Sequence, residues 1–323
     1  MFGVAVAGLV ASIASAFAIV SRADVDPHPD YRVATASKPL PPPFLLFRTL
    51  GPPRAYGRIA MLPLRGTETR YLTSLRCSRV AYAGGRGLCL IEEATGDMVT
   101  HVAEIFDRSF ERQGRLVLAG VPTRVRVSPD GRFGAVTTYA EEESPAGERL
   151  AIESVVIDLK SATVLADLRD FRLETDDADA FVGPFDFASV SFDRDSDRFF
   201  ATLSTATNRS VVVGSVRQQT LRPLKAGLAS EAISPDGARL VVKQRVNDRG
   251  FWQVAILDLA SLREQPLLQG DRSIDDQVEW LDENNVVYHD AREEGTGLWV
   301  LAADGRSGPR LLLPEAFSPA VVR

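Results

Sequence analysis

The chain has 323 residues, of which 45% are hydrophobic and 25% charged, with a formal net charge of −6. This is enough apolar material for a large core, and the acidic balance without a sustained basic patch argues against a nucleic-acid partner. The three histidines and two cysteines show no metal-ligand spacing, so the sequence predicts no metal site and no cofactor.

The first predicted element is an uncharged stretch from Phe2 to Val20 that is rich in Ala and Val. It is long enough to cross a bilayer as a helix, and the small residues Ser21 and Ala23 also fit a signal-peptide cleavage site. Residues 1–23 are therefore predicted to be either a signal peptide or a transmembrane anchor. The Pro-rich residues 24–43 predict an extended spacer. Both alternatives place the rest of the chain outside the cytoplasm, membrane-anchored or secreted.

The two cysteines flank a predicted hairpin, with Cys77 before and Cys89 after a turn near Ala83 and Gly85. A turn centred on Ala83 would set the cysteines opposite each other, within reach of a disulfide, whereas a turn at Gly85 or later would offset them. Export of the chain favours the disulfide, because oxidising compartments preserve such bonds. The prediction is a Cys77–Cys89 bond, with two buried free thiols as the alternative.

A Ser-Pro-Asp-Gly sequence occurs at 128–131 and again at 234–237, each time between two β-type apolar runs. Pro presets φ, Asp bonds its own backbone and Gly accepts positive φ, so the sequence predicts a tight hairpin. Degenerate copies begin at Ser191 and near Trp280, which puts successive copies 63, 43 and 46 residues apart. Such a period is typical of a β-propeller; unrelated hairpins in a β-sandwich are the alternative.

The predicted strands divide into blades along the chain. Five blades are assigned to residues 76–110, 125–173, 187–224, 231–268 and 277–313. One leftover C-terminal strand at 317–322 and three N-terminal strands between 44 and 72 form a sixth blade, which closes the ring and removes free edges. The predicted fold is an all-β, six-bladed propeller of four-stranded antiparallel blades over residues 44–323, preceded by the N-terminal hydrophobic helix. Five blades is the alternative.

The Ser-Pro-Asp-Gly turn between the first and second strands of a blade resembles the TolB-like family of propeller domains, over roughly Phe44 to Val322. The resemblance implies the fold but no single function, because one fold serves many roles. It also invites comparison with the propellers of prolyl-peptidase-type hydrolases. Those enzymes need an α/β domain with a G-x-S-x-G nucleophile elbow, and that motif is absent from this sequence.

Candidate binding residues are sought where each first strand begins, because in propellers these positions face the central channel. They are joined by aromatic residues of the loop that precedes the third blade. The predicted partner-binding residues are Arg124, Asp186, Glu231, Asp276, Phe181 and Phe185. Polar anchors beside aromatic side chains are typical of docking surfaces.

These features predict a non-catalytic, monomeric interaction module that binds an envelope protein or peptide through one propeller face. The strong preference for Arg over Lys is typical of a GC-rich bacterial genome, so the envelope is predicted to be bacterial. The alternative is a propeller enzyme of the lactonase or lyase type, which would use carboxylates at the channel mouth, with or without a divalent cation.

Overall fold

The computed structural model describes residues 32–65, 69–144, 147–176, 185–205, 208–246, 250–293 and 295–323, without the side chains of 141–150. The chain divides into two compact units, 1–32 and 33–323. The predicted signal peptide or anchor, with its hydrophobic helix, lies outside the described residues. Within the described part of the chain, no helix is long and apolar enough to cross a membrane.

Alternating apolar and polar residues form 26 strands in the described residues, with one 3₁₀ helix at Leu168–Asp170. In chain order the strands are β1 (Val33–Thr35), β2 (Phe44–Thr49), β3 (Arg58–Pro63), β4 (Arg70–Arg76), β5 (Arg79–Ala83), β6 (Arg86–Thr95), β7 (Met98–Asp107), β8 (Arg112–Leu118), β9 (Val121–Val127), β10 (Phe133–Ser144), β11 (Gly147–Asp158), β12 (Thr163–Asp167), β13 (Arg172–Leu173), β14 (Asp186–Phe192), β15 (Arg198–Ser204), β16 (Arg209–Ser215), β17 (Thr220–Ala226), β18 (Ala229–Ile233), β19 (Arg239–Arg245), β20 (Trp252–Asp258), β21 (Glu264–Pro266), β22 (Val278–Trp280), β23 (Asn285–Arg292), β24 (Gly295–Ala302), β25 (Arg310–Pro314) and β26 (Ala316–Val322).

The strands form six sheets, which confirms the predicted six-bladed propeller. Blades one to five are β5–β8, β9–β12, β14–β17, β18–β21 and β22–β25, each antiparallel in chain order. The first strands contact one another in a closed ring, in the order β5, β9, β14, β18, β22, β26 and back to β5. These six strands therefore surround the central channel.

Blade six closes the ring as predicted, with the C-terminal β26 innermost and β2, β3 and β4 outside it. The register of this closure pairs Phe44 with Val322 and Thr49 with Ala316. The apolar residues of β26 and β2 that face the neighbouring blades are almost fully buried. In the described residues, buried apolar side chains form six clusters between adjacent blades, and these clusters make up the core of the domain.

Three boundaries differ from the sequence analysis. Blade one ends at Leu118, because β8 forms its fourth strand beyond the predicted end at Phe110. The segment β13, predicted to end blade two, instead runs parallel to β17 and covers the outer edge of blade three. Part of the predicted spacer 24–43 belongs to the propeller, since β1 pairs in parallel with β4 and Leu40 packs against the core. Pairing of these edge strands hides backbone groups that would otherwise be exposed.

The Ser-Pro-Asp-Gly turns connect the first two strands of blades two and four. In the first turn, the Gly131 amide donates to the Ser128 carbonyl at 2.8 Å, and the Ser128 hydroxyl donates to Asp130 Oδ1 at 2.6 Å. Gly131 has φ of +70°, and a Cβ there would stand 2.8 Å from the Ala83 carbonyl oxygen of blade one. Glycine is therefore required both by the turn and by the neighbouring blade.

The sulfur atoms of Cys77 and Cys89 are bonded, with their Cα atoms 5.2 Å apart. The hairpin register differs from the one that the sequence analysis required. The ladder pairs Val80 with Cys89 and Ala83 with Arg86, so the turn falls at Gly84–Gly85. Cys77 reaches Cys89 because the chain bends before β5, where the Ser78 amide donates to the Leu90 carbonyl at 2.7 Å.

Loss of this disulfide is expected to lower the free energy of unfolding by about 2–3 kcal/mol, because the bond closes a short loop. Urea unfolding of exported protein with and without reductant measures the effect. The Cys77→Ala/Cys89→Ala variant is the control, since reductant should not change its midpoint. Full alkylation of both thiols in denatured, unreduced protein would show that the bond does not form.

Candidate functional site

Three of the predicted binding residues meet at one end of the central channel. We call this end, where the first strands begin, the front mouth, and the end at the Ser-Pro-Asp-Gly turns the back mouth. Arg124 extends from β9, Glu231 from β18, and Asp276 precedes β22. Two further side chains complete what we call the channel cluster, namely Arg79 at the start of β5 and Lys243 on β19.

The channel cluster is held by short ion pairs. Lys243 Nζ lies 3.0 Å from Glu231 Oε1, and Arg79 Nη2 lies 2.8 Å from Asp276 Oδ1. Arg124 lies between the two carboxylates, 3.9 Å from Glu231 and 3.8 Å from Asp276. The side chains of Lys243 and Glu231 are each only 3% exposed, so the cluster links four blades in a largely dry environment.

Local backbone geometry directs Glu231 into the channel. The pairing of β18 with β19 shifts register between Ser230 and Ala232, and this bulge takes Glu231 out of the ladder. Its second carboxylate oxygen accepts from the Val278 amide at 3.3 Å. Lys243 also donates to the Asp276 carbonyl at 2.6 Å. The sequence shows a charged residue at 231, but not the bulge or the contacts with Lys243 and Val278 that hold it in the cluster.

Burial and the neighbouring charges act in opposite directions on the pKa values of Lys243 and Asp276. Burial lowers the pKa of Lys243 below its usual value, although Glu231 acts against that shift. For Asp276, burial acts to raise the pKa, but the charges of Arg79 and Arg124 outweigh it and the pKa lies below its usual value. Asp276 is therefore held as a carboxylate, which is a poor state for a general acid near neutral pH.

The cluster does not satisfy all of its own polar groups. Its three cations, Arg79, Arg124 and Lys243, face two carboxylates, which leaves one excess positive charge. Arg79 Nη1 and Arg124 Nε are buried without a hydrogen-bond partner among the described residues. Because buried donors without partners are costly, this end of the channel is a candidate binding site.

The other predicted residues lie elsewhere. Asp186 begins β14, and its Oδ1 accepts from the Ile152 amide of blade two at 3.4 Å rather than joining the channel cluster. Phe185 is half-buried and packs edge-on against Phe187, with ring centroids 5.7 Å apart. Phe181 lies outside the described residues. The described aromatic residues of this loop therefore contribute to the core between blades two and three.

A cavity of about 210 Å³ opens beside the channel cluster between blades two, three and four. We call it the front pocket. Its lining includes Arg124, Glu231 and Lys243, together with Tyr139, Ser189, Thr202, Ser204, Arg209, Trp252 and Asp275. The sequence analysis missed Tyr139, Arg209 and Trp252 because it considered only the beginnings of first strands, whereas these residues come from second and third strands.

A second cavity of about 250 Å³ lies at the back mouth and receives residues from all six blades. Pro129 and Pro235 of the Ser-Pro-Asp-Gly turns form part of its wall. Arg126 Nη1 lies 3.2 Å from Glu279 Oε2 and Arg126 Nη2 donates to the Val278 carbonyl at 2.8 Å, whereas Arg194 and Arg323, which also line the cavity, form no ion pair among the described residues. Unlike the channel cluster, the described residues that line this cavity have no buried side-chain nitrogen or oxygen without a hydrogen-bond partner.

The carboxylates of the enzyme alternative are Glu231 and Asp276. One oxygen of each is paired with a cationic side chain, Glu231 Oε1 with Lys243 and Asp276 Oδ1 with Arg79, and these positive charges oppose the binding of a divalent cation. In the described ranges, no group of three or more His, Cys, Asp or Glu side chains is arranged to hold a metal ion.

Comparison with known proteins supports the fold. No protein-family model matches the chain, and no curated protein sequence matches it. Among solved structures, TolB from Acinetobacter baumannii is 18% identical with a TM-score of 0.57, over 87% of this chain and 67% of that chain. A putative TolB from Agrobacterium tumefaciens is 13% identical with a TM-score of 0.50, over 84% and 88%. A chain of a nidogen/laminin complex is 13% identical with a TM-score of 0.53, over 86% and 97%. The chain is therefore a six-bladed β-propeller with the fold of TolB proteins.

Proposed function

We propose that the chain is a non-catalytic protein-interaction module of a bacterial cell envelope, which binds its partner over the front face of the propeller. The observation that carries this proposal is the front pocket. It lies beside a cluster with unsatisfied buried donors, and the half-buried Trp252 and Tyr139 form part of its wall. Aromatic side chains with polar anchors are the usual centres of protein interfaces.

Two features support an extracytoplasmic location. The Cys77–Cys89 disulfide suits an oxidising compartment. The apolar stretch from Phe2 to Val20 has the length and composition of an export signal or anchor. The fold also occurs in assemblies, since one structural relative is a chain of a nidogen/laminin complex.

Site-specific photo-crosslinking tests the proposal. Benzoylphenylalanine at Tyr139, which lines the front pocket, is expected to yield a covalent adduct with one envelope protein in intact cells. The control places the same residue at Arg306, whose side chain is 87% exposed on a turn of the back face. We expect no adduct from the control. An adduct from Arg306 alone would place the interface on the back face, and none from either position would contradict an interaction module.

A further inference from the structure

We propose that the front pocket binds a carboxylate of the partner, which makes the partner an acidic peptide or protein segment. The inference rests on the proposed function, because it assigns a chemistry to the partner that docks there. It is carried by two arginines that stack on one tryptophan and have no counter-ion among the described residues.

Arg209 of β16 and Arg245 of β19 flank Trp252 of β20. Their guanidinium carbons lie 4.7 Å and 5.2 Å from the ring centre. Arg209 also donates to the Ser204 hydroxyl at 3.3 Å, but neither arginine forms an ion pair within the described part of the chain. Two like charges are therefore held against one indole ring, and no carboxylate of the described residues is paired with either.

The other two tryptophans show what a completed arrangement looks like. Arg292 stacks on Trp299 at 4.7 Å and also pairs with Asp290 at 2.8 Å. Arg239 stacks on Trp280 and lies 3.6 Å from an Asp236 oxygen. Among the described residues, the arginines on Trp280 and Trp299 are thus accompanied by a carboxylate from the same chain, whereas those on Trp252 are not. In the proposed complex, the partner supplies the carboxylate at Trp252.

The pocket is also positive as a whole. Arg124, Arg209 and Lys243 line it, against the carboxylates Glu231 and Asp275. Arg245, stacked on Trp252 beside these residues, adds a further positive charge, in a chain whose net charge is −6. Burial, followed by the charge of Arg245, lowers the pKa of Arg209, and an incoming carboxylate would relieve the repulsion.

The size and lining of the pocket define the occupant further. About 210 Å³ holds one acidic side chain or one chain terminus, but it is smaller than the cavities that enclose drug-sized ligands. Guanidinium groups bind carboxylates through paired hydrogen bonds. The hydroxyl groups of Tyr139 and Ser189 supply further neutral donors. The rest of the partner would then lie across the front face.

Three short peptides test the inference by calorimetry at low ionic strength. The first is acetyl-Ala-Ala-Glu-Ala-Ala-amide, the second its Gln analogue, and the third the Gln analogue with a free terminal carboxylate. We expect saturable binding of the first or the third and none of the second. Binding of the first identifies an acidic side chain, and binding of the third identifies a chain terminus. Screening by salt should weaken either interaction.

Matched variants assign the binding to the arginine pair. Arg209→Gln/Arg245→Gln is expected to weaken peptide binding at least 10-fold, whereas Arg209→Lys/Arg245→Lys should retain part of it. Arg217→Gln/Arg306→Gln removes the same charge from exposed back-face positions and should leave the affinity unchanged. Equal affinities in the two Gln variants, or no binding of either carboxylate peptide, would overturn the inference.

The two proposals fail in different ways. If Tyr139 still crosslinks one envelope protein while no carboxylate peptide binds, the acidic partner is wrong and the interaction module stands. If carboxylate peptides bind but no protein crosslinks, the pocket takes a small acid, and the protein partner is wrong.

Discussion

Deletion of residues 316–323 is expected to lower the free energy of unfolding by more than about 5 kcal/mol, the range reached when a whole core element is lost. The deletion removes β26, which is the innermost strand of blade six and pairs with β2 along its length. This strand also holds both neighbouring blades. The Val80 amide of blade one donates to Ser318 Oγ at 3.1 Å, and His289 of blade five packs against Phe317 with ring centroids 4.7 Å apart.

Urea unfolding followed by tryptophan fluorescence measures this loss, and removal of Arg323 alone is the control. Arg323 donates one side-chain hydrogen bond to the Trp280 carbonyl, so its removal should cost about 1 kcal/mol. A synthetic peptide of residues 316–323 added to the truncated protein should raise its melting temperature by binding the folded state. An unchanged unfolding midpoint after truncation would contradict closure of the ring by the chain ends.

The Glu231→Gln variant is expected to lower the free energy of unfolding by about 3–5 kcal/mol, the usual cost of removing one partner of a buried ion pair. The channel cluster holds three cations and two carboxylates, so this substitution leaves three positive charges facing Asp276 alone. Lys243→Met should cost less, because it leaves Arg79 and Arg124 balanced by two carboxylates. A larger loss of stability for Glu231→Gln than for Lys243→Met would support the excess of one positive charge in the cluster.

A double-mutant cycle separates the ion pair from its surroundings. Glu231→Gln/Lys243→Met should be more stable than the sum of the single losses predicts, because neither charge is then left unpaired. The matched control is the exposed pair of Arg115 and Glu93, 2.6 Å apart, where Glu93→Gln should cost less than about 1 kcal/mol. Additive losses in the channel cluster, or a larger loss for Lys243→Met than for Glu231→Gln, would contradict the described geometry.

The cluster also changes how the predicted binding residues should be tested. The sequence analysis predicts Arg124, Glu231 and Asp276 as partner-binding residues, which suggests testing them by substitution. In the structure they form buried ion pairs between blades, so their replacement would destabilise the domain. Loss of partner capture in such variants would not identify a binding surface. Tyr139, Arg209 and Arg245 are better targets, because they lie outside these ion pairs.

Local patterns in the sequence were sufficient to predict the fold. The Ser-Pro-Asp-Gly turns depend on the φ preferences of four consecutive residues, and strand alternation depends on neighbours two positions apart, so both can be read without tertiary contacts. The spacing of the copies then determined the number of blades, and the surplus strands at 44–72 and 317–322 determined how the ring closes. These predictions agree with the sheets that the chain forms.

Only the tertiary structure decided which side chains meet at the channel. The bulge at Glu231, the bend that brings Cys77 to Cys89 and the parallel pairing of β1 and β13 all depend on contacts with other strands. Lys243 reaches Glu231 from an adjacent strand, and Arg209 reaches Trp252 from the neighbouring blade. The sequence alone therefore determined the propeller and its closure. The front pocket and the arginines stacked on Trp252 follow from the packing of blades against one another, because that packing decides which charges of the described residues face each other.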